Sequence, residues 1–212
     1  MLMVPRRTLL VIHGMPAVGK LTVATALEAV LTQCREGESW TLYHNHMVVD
    51  EVLTRHAFGT PGFVRERDER WREGLVSRLS DPALAAKPGG VIFTYNTENT
   101  VPPEFVAWLF NECCQEAVTA ATATISGGDA LLQEPIRMVS VCLVADQAVA
   151  ISRVDTDDRK QRKKLQDKDF YEKLIQEGTF LEPAIPRTDL IVETSTLQPD
   201  EASLKIAAFL FP

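Results

Sequence analysis

Residues 8–22 read TLLVIHGMPAVGKLT, an apolar, β-favouring run that stops at a glycine and gives way to Gly-x4-Gly-Lys. That order describes a strand feeding a phosphate-binding loop. Gly14 and Gly19 let the backbone curl so that successive N–H groups point inward, beside the positive end of the helix that follows. Lys20 adds a full positive charge where the β- and γ-phosphates of a nucleotide would lie. After the loop, Val23, Ala26, Leu27, Val30 and Leu31 recur at helical spacing, so the motif has its strand before and its helix after.

One position departs from the pattern. The hydroxyl that touches Mg²⁺ belongs directly after the lysine, where this chain has Leu21, and it comes one residue later, at Thr22. Leucine cannot ligate magnesium, so a metal contact from the loop falls to Thr22. The gap resembles that of adenylate-kinase-type loops, Gly-Lys-Gly-Thr, in which the threonine serves the phosphates and the metal is held largely through water.

The chain has 212 residues, which suits one domain with a full core. Its net charge of −7, from 22 basic and 29 acidic residues, argues against a nucleic-acid or anionic-membrane partner. No apolar stretch approaches the roughly 20 residues of a membrane span. Arg6 and Arg7 lead into the strand of the loop rather than into a cleavable signal, and a cytoplasmic protein is expected. Cys34, Cys113, Cys114 and Cys142 have neither zinc-site nor disulfide-framework spacing and read as reduced packing residues.

Strand-like and helical patterns alternate along the chain, the signature of a parallel sheet with helices on both faces. After the first strand at 8–13, further strands are expected at 40–44, 91–95, 138–144 and 190–193. Val106, Leu109, Phe110, Cys113 and Ala117 form one helix face. A last helix, opened by Pro199, Asp200 and Glu201, is expected to bury Leu204, Ala207, Ala208 and Phe211. The Ala- and Thr-rich residues 117–123 extend the preceding connection as helix, and 126–129 break it.

Ligands of such sheets bind outside the carboxyl ends of the strands. The second strand delivers His44, Asn45 and His46, then Asp50, which together offer donors, acceptors and a general base for a hydroxyl. The same residues also read as a polar strand end with Asn45 capping a helix at 47–53. A His-Asn-His nuclease is disfavoured, because that name describes dispersed positions in another fold. His44 and His46 would share one side of a strand, but no further zinc ligands lie near. The third strand delivers Tyr95 and Asn96, then Glu98, without the Asp that many phosphate-loop enzymes place there for magnesium.

Two charged segments remain. Arg65, Arg67, Arg70, Arg72 and Arg78, interleaved with Glu66, Asp68, Glu69 and Glu73, read as a solvated, salt-bridged helix, though Phe63 and Trp71 within it fit a segment closing over an acceptor. Residues 159–164 carry Arg159, Lys160, Arg162, Lys163 and Lys164, a density suited to a lid that neutralises a transferring phosphate. A solvated basic helix and a nuclear-targeting cluster are the alternatives.

Taken in order, the loop, the polar second-strand end, Arg153 with the basic run behind it, and a final strand leading into residues 193–201 resemble the small-molecule kinases of the P-loop fold. Shikimate, gluconate and nucleoside-monophosphate kinases are of this type, as are ATPase-like proteins with GPPAVGKLT-type loops. The resemblance implies an α/β P-loop NTPase domain over 1–212, a five-stranded parallel sheet, an acceptor-side insertion at about 45–85 and a lid at about 155–168. It implies ATP and Mg²⁺ as cofactors and a small-molecule acceptor as partner. Gly14, Met15, Pro16, Ala17, Val18, Gly19, Lys20, Leu21 and Thr22, with Arg153 and Lys163, would hold the nucleotide, and Thr22 the metal. Lys20, Asp50, Arg159 and Arg162 would serve catalysis, and His44, Asn45, His46, Tyr95 and Asn96 the acceptor. Residues 194–196 would lie near the adenine. A kinase is the expected function; a nucleotide-binding regulator or slow NTPase is the alternative, favoured by Leu21 and the absent Asp.

Overall fold

The computed structural model describes residues 7–35, 37–85, 87–123, 134–155, 167–181 and 183–212. The first strand, β1 (Arg7–Gly14), is buried at every position. A central strand with both faces covered is buried in this way. The loop leads into α1 (Lys20–Cys34) and β2 (Ser39–His44). The second crossover holds α2 (His46–Val52), α3 (Pro61–Leu79) and α4 (Pro82–Ala85) before β3 (Gly89–Asn96). Then come α5 (Pro103–Asn111), α6 (Cys113–Ala123), β4 (Ile136–Val144), α7 (Gln147–Val154) and α8 (Lys168–Gln176). The chain closes with β5 (Leu190–Glu193) and α9 (Pro199–Leu210).

The five strands are all parallel, in the order β2-β3-β1-β4-β5. Alternation along β1 sends Leu9 and Val11 to one face, where they join Phe63 and Trp71 of α3, Phe105 of α5 and Cys113 of α6. Leu10 and Ile12 go to the other face and meet Leu27 of α1 and Ile206 of α9. The strands run one or two residues beyond the expected bounds, except β5, which matches.

Three helix readings need correction. In α1 the buried residues are Lys20, Val23, Ala24, Leu27 and Leu31, while Ala26 and Val30 sit at the margin, so the inward face is rotated from the expected one. In α9 Ala202, Ser203, Ile206 and Leu210 face inward, whereas Leu204 is 55% exposed and Ala208 is exposed. The Gln198–Glu201 capping box fixes where that helix starts, and from there the buried spacing runs 202, 206, 210. The helix expected to carry both Val106 and Ala117 is two, interrupted at Glu112, although Cys113 and Ala117 are core as expected. Residues 126–129 and most of the expected lid, 156–166, lie outside the described residues. Among those described, no helix is long and apolar enough to cross a membrane.

Gly14 ends β1 with φ at 141°, and a Cβ there would run into the Leu143 carbonyl oxygen of β4. Backbone conformation and space both exclude a side chain. Gly14→Ala is expected to lower stability by about 2–4 kcal/mol, from overpacking plus a strained backbone. Urea denaturation checks this.

Candidate active site

The loop between β1 and α1 turns through left-handed backbone at Ala17 (φ 69°) and again at Gly19 (φ 91°). Alanine rarely adopts that region, and the conformation aims successive N–H groups to one side. Three anchors hold it from outside. The Tyr171 hydroxyl of α8 donates to the Pro16 carbonyl at 2.6 Å. Thr194 Oγ1, just past β5, lies 3.0 Å from the carbonyl oxygens of both Val18 and Val144 and donates its proton to one or the other. Ala17 packs with Ala150, Val154 and Tyr171 in a small satellite core.

Lys20 opens α1 and folds back over the loop, where its Nζ donates to the Gly14 carbonyl at 2.8 Å and the Met15 carbonyl at 2.7 Å. The ammonium is held at the loop rather than swinging in solvent. Arg153, at the end of α7, donates to the Thr194 carbonyl at 2.7 Å and to its Oγ1 at 3.3 Å.

His13 sits on β1 below the loop, 2% exposed, with Nε2 3.1 Å from Ser140 Oγ. Burial first, and the Lys20 charge second, lower its pKa to about 4.

The other side of the site centres on Arg67. It lies at the middle of the inward face of α3, with Phe63, Trp71, Leu75 and Leu79 at four-residue steps, and is fully buried. Its Nη1 and Nη2 donate to Thr100 Oγ1 and the Thr100 carbonyl at 2.9 and 2.7 Å. Nε donates to Asp68 Oδ1 at 2.9 Å, and Glu98 Oε1 is 3.6 Å from Nη1. Thr100 Oγ1 in turn donates to Glu98 Oε1 at 2.8 Å. Burial raises the pKa of Glu98, against the pull of Thr100, Arg67 and Lys20. Thus α3 is partly the salt-bridged helix expected, with Arg70 on Glu51 and Glu66, but its inner arginine belongs to the core.

One cavity of about 710 Å³ connects these parts. Residues 16–22 of the loop, Asn45, His46, Asp50, Asn96 and Arg153 all line it. So do Thr94, Glu98, Asn99 and Trp71, residues 194–199, and Phe170, Leu174 and Phe180 at α8 and just beyond. Thr22 is exposed on the wall. Gly14 and Met15, expected to hold the nucleotide, are not on the wall, and their carbonyls accept from Lys20 Nζ. Asn45 does not cap α2 with its side chain; its Oδ1 is 2.8 Å from His46 Nδ1.

Two expected acceptor residues are misplaced. Tyr95 is fully buried and stacks on Phe93 with centroids 5.9 Å apart, so it belongs to the core and not to the wall. Strand alternation is the reason, since Thr94 and Asn96 take the opposite face. His44, half-buried at the end of β2, is not on the wall, and His46 lies in α2 rather than beside it on a strand. Arg159, Arg162 and Lys163 lie outside the described residues. Sequence reasoning missed Arg67 as a buried group, although its four-residue spacing from Phe63 and Trp71 was a usable signal. It also missed the α8 wall, for which the sequence holds no comparable sign.

Among solved structures, a candidate kinase from Chloroflexus aurantiacus J-10-fl aligns with a TM-score of 0.56 at 15% identity, over 98% of each chain. A sugar kinase from Janibacter sp. HTCC2649 gives 0.51 at 13% identity, over 96% of this chain and 94% of that one. The fold is that of the P-loop kinases. The structure of APE1195 shares it, with a TM-score of 0.52 at 16% identity over 98% of this chain and 96% of that one. At such identities the likeness to P-loop kinases is one of fold. No family model and no curated protein sequence matches the chain.

His13 gives a pH signature. Its folded pKa of about 4 lies below the ordinary 6.5, so the unfolded chain binds the proton first and stability falls as pH drops between those values. The full difference is worth about 3 kcal/mol. His13→Gln is expected to remove that part of the slope, as read by urea titrations from pH 7 to 4.

Proposed function

We propose that the protein transfers the γ-phosphoryl group of ATP to the hydroxyl of a small-molecule acceptor. The observation that carries this reading is the single cavity running from the Lys20 loop and Arg153 to Asp50, Asn45 and Asn96. The left-handed turns at Ala17 and Gly19 suit a chain of phosphate oxygens, which backbone N–H groups and the start of α1 can receive. Residues 194–199, at the carboxyl end of β5, suit the base. The described residues hold no cluster of three or more His, Cys, Asp or Glu that could bind a metal, so magnesium would arrive with the phosphates and take Thr22 from the chain. Bound ATP supplies the electrophilic phosphorus, and the metal neutralises charge on its oxygens.

The chain's own groups then have definite tasks. Lys20 and Arg153 face the phosphate charge from fixed positions, and the basic residues Arg159, Arg162 and Lys163 would close over it. Asp50 takes the acceptor's proton as its O–H bond breaks. The acceptor oxygen bonds to the γ-phosphorus, the bond from that phosphorus to the bridging oxygen breaks, and ADP leaves. Asn45, His46 and Asn96 orient the hydroxyl.

A second reading, a nucleotide-binding regulator or slow NTPase, draws on Leu21 beside the lysine and on Glu98, which is committed to Arg67 and Thr100. ADP release measured with and without candidate acceptors separates the two. Acceptor-dependent release supports the kinase, and tight ATP binding with none supports the regulator. Lys20→Ala is expected to cut release about a hundredfold or more, as for loss of a transition-state charge partner. Unchanged turnover in that variant would sink the reading.

The metal contact gives a separate expectation. Thr22→Ala should slow Mg²⁺-dependent turnover more than Leu21→Ser does. A clear gain from Leu21→Ser in magnesium titrations would identify the missing hydroxyl as the limit on this site and favour the regulator.

A further inference from the structure

Ala17 is out of character for its backbone. Among the described residues it is the one non-glycine at positive φ, 69°, a region that a residue with a Cβ occupies at a disadvantage of about tenfold. Such an outlier persists only where its surroundings over-determine it. Here the surroundings come from the two helices after β4. Ala17 is 8% exposed, and it packs with Ala150 and Val154 of α7 and Tyr171 of α8, all three fully buried.

Tyr171 grips the same point with its hydroxyl. It donates at 2.6 Å to the Pro16 carbonyl, and that carbonyl belongs to the planar peptide that the φ rotation of Ala17 turns. A swing of Ala17 to negative φ would therefore either carry the oxygen off the Tyr171 hydroxyl or draw the methyl out of the satellite core. The segment that carries Tyr171 is itself fastened at both ends. Asp167 caps α8 by accepting from the Phe170 N–H at 2.9 Å, and beyond the helix the Asn99 N–H donates to the Thr179 carbonyl at 2.9 Å. Tyr171 is not on the cavity wall, so it can reach a ligand only through the loop.

We propose that Tyr171 is a positioning residue for the phosphates: docked α8 keeps Ala17 left-handed, and the loop receives an anion in that conformer. The inference takes from the proposed function that residues 14–22 receive the phosphates, and it does not depend on transfer to an acceptor. Loop shape and α8 docking are then linked, and the population of the left-handed conformer sets the apparent affinity.

The test uses the full chain with ATP and with inorganic tripolyphosphate, binding being read by calorimetry and turnover by ADP release. Tyr171→Phe keeps the ring in the satellite core and removes the donor, and should weaken both ligands about tenfold, the loss expected for one buried hydrogen bond. Glycine takes positive φ without penalty, so in an Ala17→Gly background the same Tyr171→Phe change should cost about threefold or less. A general loosening of the fold would instead give equal losses in the two backgrounds. In return, tripolyphosphate bound to the unsubstituted chain should slow amide hydrogen exchange across α8. Unchanged affinity in Tyr171→Phe, an equal loss in both backgrounds, or α8 exchange indifferent to tripolyphosphate would each overturn the inference and leave the phosphotransferase reading in place. The expected pattern without acceptor-dependent ADP release would support it and count against the phosphotransferase reading alone. An unsubstituted chain that binds no ATP would overturn both.

Discussion

Pairing of β1 on both sides along nearly its whole length sets the level at which everything else happens. Its register places His13 opposite both Tyr95 and Cys142, and Gly14 opposite Asn96. β1 and β3 therefore stop together, β4 runs on to Val144, and the loop leaves the sheet between these neighbours. The close approach of Gly14 to the Leu143 carbonyl is the local cost of that arrangement. Were β1 to slip by one residue against its neighbours, every side chain it carries would change faces, and Leu9 and Leu10 would exchange cores.

Charge is handled differently on the two sides of the cavity. Near the loop, Lys20 donates to two backbone carbonyls and Arg153 to the Thr194 carbonyl and hydroxyl, and these bonds orient both cations. Across the cavity, Arg67 is matched against carboxylates and removed from view. Lys20 and Arg153 line the cavity, whereas Arg67 is fully buried. The same residue chemistry thus yields binding potential in one place and rigidity in the other.

Much of this was legible in the chain. The loop and its flanks announced the fold because glycine spacing, a β-branched run and a following lysine are each tied to backbone geometry. The place of Asp50 and Asn96 on the cavity wall followed from their positions past the strand ends. Tyr95 was misread because such placement ignores parity: one residue along a strand decides between wall and core. The inward face of α9 was misread because alanine and leucine at 204–208 give little contrast, and a cap at Gln198 decided the rotation. Arg67 hid in a segment where charge is the norm. The spacing from Phe63 to Trp71 identifies its face, but not what the guanidinium bonds to, since Thr100 and Glu98 lie 33 and 31 residues away.

Thr194 reaches Val18, 176 residues away in the chain, as well as Val144 and Arg153. The loop precedes β5 by most of the chain, yet one of its fastenings comes from the residue just past that strand. Contacts of such sequence separation close late, because the loop entropy must be spent before they return anything. A nascent or partly folded chain therefore carries a phosphate loop with one of its clasps still open. Arrival of β5, and not the formation of the motif itself, marks the moment when the loop takes its final shape.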